Sequence, residues 1–505
     1  MCGIIGVSGI TDAARISYLG LYALQHRGQE SAGIVVVDRE GNARAHRGMG
    51  LVSENFHDTE LDRLPGDIAV GHTRYSTTGS TVLANAQPCS VNTRCGPLAI
   101  AHNGNLTNAT ELKRELVEKG AIFTTSSDTE VLVHLIARSD ADTVEGQIRD
   151  ALEQVEGAYS LVIAAGRTLY AVVDSRGFRP LVMGRLGSGM VVASETCALD
   201  LVGAAIACEL EPGDFVRIED GRVTELPRLS PRPVSRCVFE LVYFARPDST
   251  VFGESVDRVR RELGRQLARE QPASGDVVFS VPDSSNAMAL GFSEVSGIKL
   301  EYGLIRNHYV GRTFINPTQN HRVEKVKIKF NPVRDVIYGK SCVVVDDSLV
   351  RGNTSRSLVR MIRAAGAREV HLRLASPPIT GPCHYGIDTP TREELIASSH
   401  SIEEIREFLG VDSLGYLSLD GMLNAAGSHT GFCHACFSGQ YPTPIPEDLV
   451  QLRDVAALAR DGGPEAERPR VTERKLHRLG RHRGRSGDRP DRQQHAYERQ
   501  EARAM

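Results

Sequence analysis

The chain has 505 residues and a formal net charge of −4, and it is long enough for two or three domains. Its 41% hydrophobic and 24% charged residues are typical of a globular protein, and the absence of Trp argues against base-stacking surfaces for nucleic acid. No stretch is apolar for long enough to span a bilayer, and the first residues lack the pattern of an export signal. We therefore expect a cytoplasmic protein that binds neither membranes nor nucleic acid.

The first part of the chain is rich in short β-branched runs. These predict strands at residues 34–37, 68–70, 98–101, 160–164, 169–173 and 190–193. Helical periodicity predicts helices over 109–119, 128–138 and 143–154. Sheets packed between helical layers are the simplest arrangement of such elements. The Pro-rich stretch 227–233 predicts that a first domain spans residues 2–230.

Cys2 is the first residue with chemical interest. If Met1 is removed, the free α-amino group of Cys2 can act as the base for its own thiol. An ordinary cysteine is the alternative. Together with the polar stretches 27–33, 71–77, 102–104 and 127–130, this start resembles the class II glutamine amidotransferases, whose glutaminase domain has an N-terminal-nucleophile fold with four αββα layers.

The resemblance implies a role for each polar position. Cys2 attacks the glutamine amide, while Asn103 and the backbone N–H of Gly104 form the oxyanion hole. Arg74 binds the α-carboxylate of glutamine and Asp128 binds its α-ammonium group. The alternatives are a surface ion pair for Arg74 and a helix cap for Asp128.

Beyond residue 230, strands and helices alternate, which predicts a parallel sheet in a second domain at residues 231–460. Predicted strands lie at 276–281, 341–345 and 369–375, and predicted helices at 257–270, 286–295 and 355–365. Residues 343–355 combine a buried strand, two acids and a loop of Ser, Gly and Thr that opens a helix. Such a loop can bind phosphate, and the acids suit sugar hydroxyls or Mg2+.

That stretch resembles the phosphoribosyl-pyrophosphate (PRPP) motif of the type I phosphoribosyltransferases. The resemblance implies that PRPP is bound by Asp346, Asp347, Ser348, Arg351, Gly352, Thr354 and Ser355. It also implies one Mg2+ per subunit, held by Ser284, Asp346 and Asp347. The alternatives are an ordinary strand–turn–helix unit and a plain helix cap at Ser284.

A basic stretch lies between these motifs, and the same resemblance implies a lid over residues 307–335. By the same resemblance, Tyr309 and Arg312 meet PRPP, and Ile315 lines a passage for ammonia. A lid of this kind excludes water from the reaction. A solvated charged loop is the alternative.

Ten cysteines in a cytoplasmic chain do not predict disulfides. Cys197, Cys208 and Cys342 have apolar neighbours in sequence, so we expect them to be buried. The contexts of Cys237 and Cys436 resemble the cluster-bearing glutamine PRPP amidotransferases, which implies a 4Fe-4S cluster on Cys237, Cys383, Cys433 and Cys436. Its expected role is structural or oxygen-sensing. Four-thiolate zinc is the competing hypothesis.

The two resemblances together imply an amidotransferase that makes 5-phosphoribosylamine, pyrophosphate and glutamate from PRPP, glutamine and water. They also imply purine nucleotides as feedback inhibitors and a homotetramer as the assembly. Rival hypotheses are glucosamine-6-phosphate synthase and an inactive iron–sulfur regulator. Residues 461–505 form a basic segment that we expect to be disordered. We assign it no function, since a nucleic-acid role and a reading-frame artefact would look alike.

Overall fold

The structure is a computed structural model that describes residues 1–76, 80–307, 328–389 and 391–446. Residues up to 225 build the first half of the described chain. Its strands are β1 (Gly3–Ser8), β2 (Ser31–Val37), β3 (Ala43–Met49), β4 (Ile68–Arg74), β5 (Cys89–Thr93), β6 (Gly96–Leu106), β7 (Gly157–Ala165), β8 (Thr168–Val173), β9 (Val182–Leu186), β10 (Gly189–Ala193), β11 (Ala205–Glu209), β12 (Phe215–Glu219) and β13 (Arg222–Glu225).

Helices separate these strands. The α-helices are Ala13–Ala23, Val52–Asn55, Asp58–Asp62, Ala109–Glu118, Thr129–Arg138, Val144–Gln154 and Thr196–Val202, and the 3-10 turns are Gln25–Arg27 and Leu83–Asn85. The strands form two antiparallel sheets, in the orders β11-β9-β10-β1-β4-β2-β3 and β13-β12-β8-β7-β6-β5.

The two sheets pack face to face, because side chains along each strand alternate between two apolar environments. Ile4 packs with Val162 in the core between the sheets. Ile5 points the other way and packs with Leu21 and Leu199 of the covering helices. A third core lies between the second sheet and the helices of residues 109–154. The predicted four-layer αββα fold is therefore confirmed.

The second half follows an irregular stretch at residues 226–235. Its strands are β14 (Arg236–Cys237), β15 (Thr250–Val251), β16 (Glu254–Ser255), β17 (Val277–Ser280), β18 (Leu304–Arg306), β19 (Phe330–Pro332), β20 (Ser341–Asp346), β21 (Glu369–Leu374), β22 (Ser413–Tyr416) and β23 (Phe432–Cys433). Its helices are Val256–Glu270, Asn286–Ser296, Arg334–Ile337, Asn353–Ala364, Ile396–Ser399, Ile402–Leu409, Leu419–Ala425 and Ala435–Ser438, with a 3-10 turn at Arg392–Glu394 and a π-helix at Glu240–Phe244.

The predicted α/β architecture of this half is also confirmed. Strands β17, β20, β21 and β22 form a parallel sheet in the order β17-β20-β21-β22. Both faces are covered: Val343 packs with Leu263, while Val344 packs with Leu358 on the other side. The carboxyl ends of β17 and β20 therefore carry the two polar motifs predicted to bind PRPP.

Two of the three cysteines expected in the core are there, and the third prediction is wrong. Cys197 and Cys342 are buried, whereas Cys208 is exposed. The reason is that Cys208 lies on β11, an edge strand whose residues are almost all exposed. Among the helices in the described ranges, none is long and apolar enough to cross a membrane.

Candidate active sites

Cys2 lies directly before β1, against the strand that carries Asn103. The backbone N–H of Cys2 donates to Oδ1 of Asn103 over 3.2 Å, and both residues are buried. The amide nitrogen Nδ2 of Asn103 is buried and has no hydrogen-bond partner within the described part of the chain. A buried donor of this kind normally requires a partner. An oxyanion that forms beside Cys2 would supply one.

Gly104 follows Asn103, and a side chain at this position would displace the neighbouring backbone. Its φ is +154°, and a Cβ atom added there would lie 1.9 Å from the carbonyl oxygen of Ala158. Glycine therefore lets β6 and β7 approach closely at the predicted oxyanion hole.

The predicted glutamine-binding residues lie at the same end of the two sheets. Gly3 pairs with Thr73, so Cys2 and Arg74 are the next residues along β1 and β4. Arg74 is 3% exposed, so the alternative of a surface ion pair is wrong. Its Nη1 donates to the carbonyl oxygen of Ser80 over 3.2 Å.

Asp128 takes the position of a helix N-cap but does not cap its helix with its side chain. Its Oδ2 accepts instead from the backbone N–H of Leu106 over 3.0 Å and lies 3.7 Å from Nδ1 of His102. The carboxylate is thereby fixed beside the strand of Asn103. The predicted catalytic and glutamine-binding residues thus converge on one site.

Met1 precedes Cys2 and is itself buried. Burial lowers the pKa of its α-amino group to about 6, which leaves the amine largely unprotonated at neutral pH. An amine in these surroundings can accept a proton from a thiol. Removal of Met1, which would transfer this property to Cys2, stays a prediction.

The second site lies at the carboxyl ends of β17 and β20. Oγ of Ser284 donates to Oδ2 of Asp347 over 2.5 Å, and Oγ of Ser285 donates to Oδ1 of Asp346 over 3.1 Å. Oγ of Ser348 donates to Oδ1 of Asp347 over 2.6 Å. The structure thus brings together the three predicted Mg2+ ligands, and it adds Ser285, which sequence analysis passed over.

Both acids have perturbed pKa values. Burial raises the pKa of Asp346, with the charge of Asp347 as the next cause, and burial also raises the pKa of Asp347. Lys329 lies near enough for both carboxylates to act on it, although burial and the charge of Arg306 lower its own pKa. Two buried acids that resist ionisation, with hydroxyl groups beside them, fit a hard cation such as Mg2+.

The loop after the acids leads into a helix, as predicted. Gly352 has a φ of +78° and caps the helix Asn353–Ala364, whose first backbone N–H groups can bind phosphate. Ser355 is buried, Thr354 is exposed, and Arg351 pairs with Glu394 over 2.6 Å. A Cβ atom added to Gly352 would lie 3.1 Å from the ring of Phe408.

The predicted lid lies only partly within the described residues. Tyr309, Arg312 and Ile315 lie outside the described residues. At the base of the segment, β18 and β19 pair as an antiparallel hairpin, and the N–H of Asn307 donates to the carbonyl oxygen of Lys329 over 2.9 Å. The lid and the domain boundaries stay predictions.

The four predicted cluster cysteines line one enclosed cavity. Cys237 and Cys433 are register partners in the parallel pair β14–β23, and Cys383 and Cys436 complete the lining. Burial raises the pKa of the Cys237 thiol to about 11 and also raises the pKa of Cys436. Across residues 1–76, 80–307, 328–389 and 391–446, no three His, Cys, Asp or Glu side chains converge closely enough to hold a single metal ion.

Comparisons with known proteins cover both halves of the chain. A family model described as a glutamine amidotransferase domain matches residues 72–201. The chain is 51% identical over 453 residues to amidophosphoribosyltransferase 2, chloroplastic, of Arabidopsis thaliana, covering 89% of this chain and 81% of that relative. It is 50% identical over 456 residues to the amidophosphoribosyltransferase of Bacillus subtilis (strain 168), covering 89% of this chain and 95% of that relative.

Two solved structures are similar over most of their length. One, described as the allosteric regulatory enzyme of purine biosynthesis, has a TM-score of 0.85 and 49% identity, covering 90% of this chain and 98% of that chain. The other is glutamine PRPP amidotransferase from B. subtilis complexed with ADP and GMP, with a TM-score of 0.83 and 49% identity, covering 88% of this chain and 98% of that chain. The similarity therefore spans the Cys2 site and the Asp346–Asp347 site.

Proposed function

This chain belongs to the amidophosphoribosyltransferase family, and we propose that Cys2 and the Asp346–Asp347 pair carry the two half-reactions of that activity. The enzyme is a pentosyltransferase and glutamine amidotransferase that catalyses the first step of purine biosynthesis. The observation that carries the residue assignment is the Cys2–Asn103 contact, present on the same chain as two buried acids that bond Ser284 and Ser285. The rival hypothesis of a glucosamine-6-phosphate synthase would require a sugar-isomerase half, whereas the second half of this chain contains the PRPP motif.

In the glutaminase half-reaction, the thiol of Cys2 gives its proton to the α-amino group that Met1 removal exposes. The thiolate attacks the amide carbon of glutamine, and Nδ2 of Asn103 and the N–H of Gly104 stabilise the oxyanion. Arg74 and Asp128 bind the two charges of the amino acid, which selects free glutamine over a peptide. Ammonia leaves with the proton returned by the amine, and water then hydrolyses the thioester to glutamate.

In the transferase half-reaction, PRPP binds at the carboxyl end of the parallel sheet, with its 5-phosphate on the helix that begins after Gly352. Ammonia attacks C1 of the ribose as pyrophosphate leaves. Lys329 and the basic lid residue Arg312 stabilise the charge on the leaving group. A closed lid also keeps ammonia from being protonated by bulk water.

Two bound groups complete this proposal. Asp346, Asp347 and Ser284 would hold one Mg2+ per subunit, which supplies positive charge to the pyrophosphate. Cys237, Cys383, Cys433 and Cys436 would hold a 4Fe-4S cluster with a structural or oxygen-sensing role. Four thiols that line one cavity supply the four thiolates that such a cluster requires, and four-thiolate zinc is the competing assignment.

Feedback inhibition, oligomeric state and cellular location are proposed from membership of the family. A glutamine PRPP amidotransferase of B. subtilis has been solved with ADP and GMP, which supports purine nucleotides as feedback inhibitors of this chain. We further propose a homotetramer in the cytoplasm. Light scattering and a nucleotide titration of the synthesis reaction test these points separately.

A coupled assay tests the function as a whole. We expect PRPP to stimulate glutamine hydrolysis, with glutamate and pyrophosphate formed in equal amounts. A rate of glutamine hydrolysis that does not change when PRPP is added would contradict the assignment. So would the absence of glutamine hydrolysis in freshly prepared anaerobic protein.

A further inference from the structure

A buried ionic cluster joins the nucleophile strand to the second half of the chain. The cluster consists of Arg27, Arg179, Glu195 and Glu240, and the side chains of all four have no exposed surface. Nε of Arg27 donates to the carbonyl oxygen of Cys2 over 3.0 Å. The other end of Arg27 donates to Oε1 of Glu195 over 2.5 Å and to Oε1 of Glu240 over 2.7 Å. Glu240 begins the π-helix of the second half.

Glu240 also contacts Arg179, which binds the loop behind the predicted oxyanion hole. Nη1 of Arg179 donates to Oε1 of Glu240 over 3.2 Å. Its Nη2 and Nε donate to the carbonyl oxygen of Tyr385 over 2.7 and 3.1 Å. The next residue, Gly386, packs against Gly104: a Cβ atom added to Gly386 would lie 2.9 Å from the carbonyl carbon and oxygen of Gly104.

The charges in this cluster balance only if every member is present. Two guanidinium groups face two carboxylates. Glu195 also accepts from Oγ of Ser249 over 2.8 Å and from the N–H of Arg246 over 2.9 Å, and its Oε1 lies 2.7 Å from Nε2 of the partly exposed His26. Removal of one charge from such a cluster leaves a buried charge uncompensated, so the surrounding side chains must rearrange. Such a rearrangement would move both groups that the cluster holds, namely the carbonyl of Cys2 and the loop behind Gly104.

We propose that Glu240 is a positioning residue for the glutaminase reaction, although it belongs to the transferase half. The carboxylate of Glu240 orients Arg27, which binds the carbonyl oxygen of Cys2. It also orients Arg179, which binds the loop that packs against Gly104. One carboxylate from the second half therefore positions both the nucleophile and the oxyanion hole. This inference rests on the proposed roles of Cys2, Asn103 and Gly104. It also implies that the glutaminase site is complete only in the intact chain.

The variant Glu240→Gln tests the proposal in the full-length, iron-loaded protein, because it keeps the shape of the side chain and removes its charge. We expect kcat for glutamine hydrolysis to fall about 10- to 100-fold, since a misplacement of about 1 Å in a reacting group costs about 100-fold. We expect KM for glutamine to change less than about threefold, because Arg74 and Asp128 are not part of the cluster. Synthesis from high concentrations of ammonia should stay within about twofold of the parent enzyme.

The matched control is Glu294→Gln, which removes a carboxylate of the same half that accepts from Arg265 over 2.7 Å at the surface. It should change neither reaction. A second readout is the rate at which a glutamine-shaped electrophile alkylates Cys2, which should fall in parallel with kcat. Iron content should be unchanged, which separates a loss of positioning from a loss of the cysteine site.

Arg179→Lys serves if Glu240→Gln does not fold, because it keeps the charge and removes the forked contact with Tyr385. It should show the same separation of the two reactions, with a smaller decrease. The proposal is overturned if kcat for glutamine is unchanged in these variants, or if both reactions fall equally together with the melting temperature. Failure of the proposed function would give a different result: the Cys2→Ala variant would still hydrolyse glutamine.

Discussion

The backbone N–H of Cys2 and Oδ1 of Asn103 are hydrogen-bonded across the two sheets of the first half, over 3.2 Å. This contact fixes the orientation of the Asn103 amide. Its other end, Nδ2, is the buried donor that lacks a partner among the described residues. One side chain therefore both aligns the nucleophile and offers a hydrogen bond to the charge that forms when the nucleophile attacks.

Asn103→Ala should remove that hydrogen bond. We expect kcat for glutamine hydrolysis to fall by about 100- to 1000-fold, as when an oxyanion-hole donor is removed elsewhere. Synthesis from ammonia should be nearly unchanged, because it does not use this site. The exposed Asn92, on β5 of the same sheet, supplies the control variant Asn92→Ala. Equal loss of both reactions would argue against a specific role for Asn103.

Cys2→Ala should abolish glutamine-dependent synthesis and preserve synthesis from high concentrations of ammonia. The reason is that the thiol forms the thioester, whereas ammonia supplied from solution reaches PRPP without it. Steady-state rates with each nitrogen source measure the effect. Cys208→Ala, at an exposed cysteine, is the control and should change neither rate. Loss of both reactions in Cys2→Ala would refute the separation of the two sites.

The paired acids should make the metal-free protein less stable. Burial raises the pKa values of Asp346 and Asp347, so the folded state binds protons more tightly than the unfolded state does. Stability from this pair is therefore fully present below the unfolded pKa of about 4 and is lost as pH rises through the higher folded values. Mg2+ binding requires the ionised acids, so it should tighten over the same rise in pH.

Asp346→Asn tests this account. Without Mg2+ at pH 7 the variant should melt about 1–3 °C higher than the parent protein, because it no longer contains two acids that resist ionisation side by side. Synthesis should be lost with both nitrogen sources. Mg2+ should raise the melting temperature of the parent but not of the variant, and Asp140→Asn, in an exposed loop, should have no effect. A variant that melts lower than the parent without Mg2+ would contradict the argument.

Local sequence predicted those parts of the sites that lie within one short segment. The acids, Ser348 and Gly352 follow one strand and open one helix, so a single stretch of sequence contains the whole loop. By contrast, Glu240 contacts Arg27 from a position 213 residues further along the chain, and no local pattern indicates that pairing.

Edges and very short elements were also beyond prediction from sequence. The apolar residues around Cys208 suggested burial, but burial depends on the position of β11 at the edge of its sheet. The pair β14–β23 joins two residues to two others, far too few for a periodic pattern, yet it places Cys237 beside Cys433. The family resemblance had already grouped Cys237 with Cys433, but the strand pairing and the edge position of β11 are seen only in the folded chain.

The cysteine cavity predicts a coloured protein. Because burial raises the pKa values of Cys237, Cys433 and Cys436, these three thiols should be protonated until a metal displaces the protons. Anaerobically purified protein should be brown, with about four irons per chain, and Cys433→Ser should lose both the colour and the iron. Cys95→Ser, at an exposed cysteine, should retain both. Colourless protein with stoichiometric zinc would contradict the cluster.

The most direct test of the central claim is an isotope competition. Glutamine labelled with 15N in its amide is supplied together with PRPP, Mg2+ and an excess of unlabelled ammonium at neutral pH. If ammonia passes from Cys2 to the ribose held by Asp346 and Asp347 without entering the solvent, nearly all of the phosphoribosylamine should contain 15N. Product with the isotope ratio of the bulk ammonium would contradict sheltered transfer between the two sites.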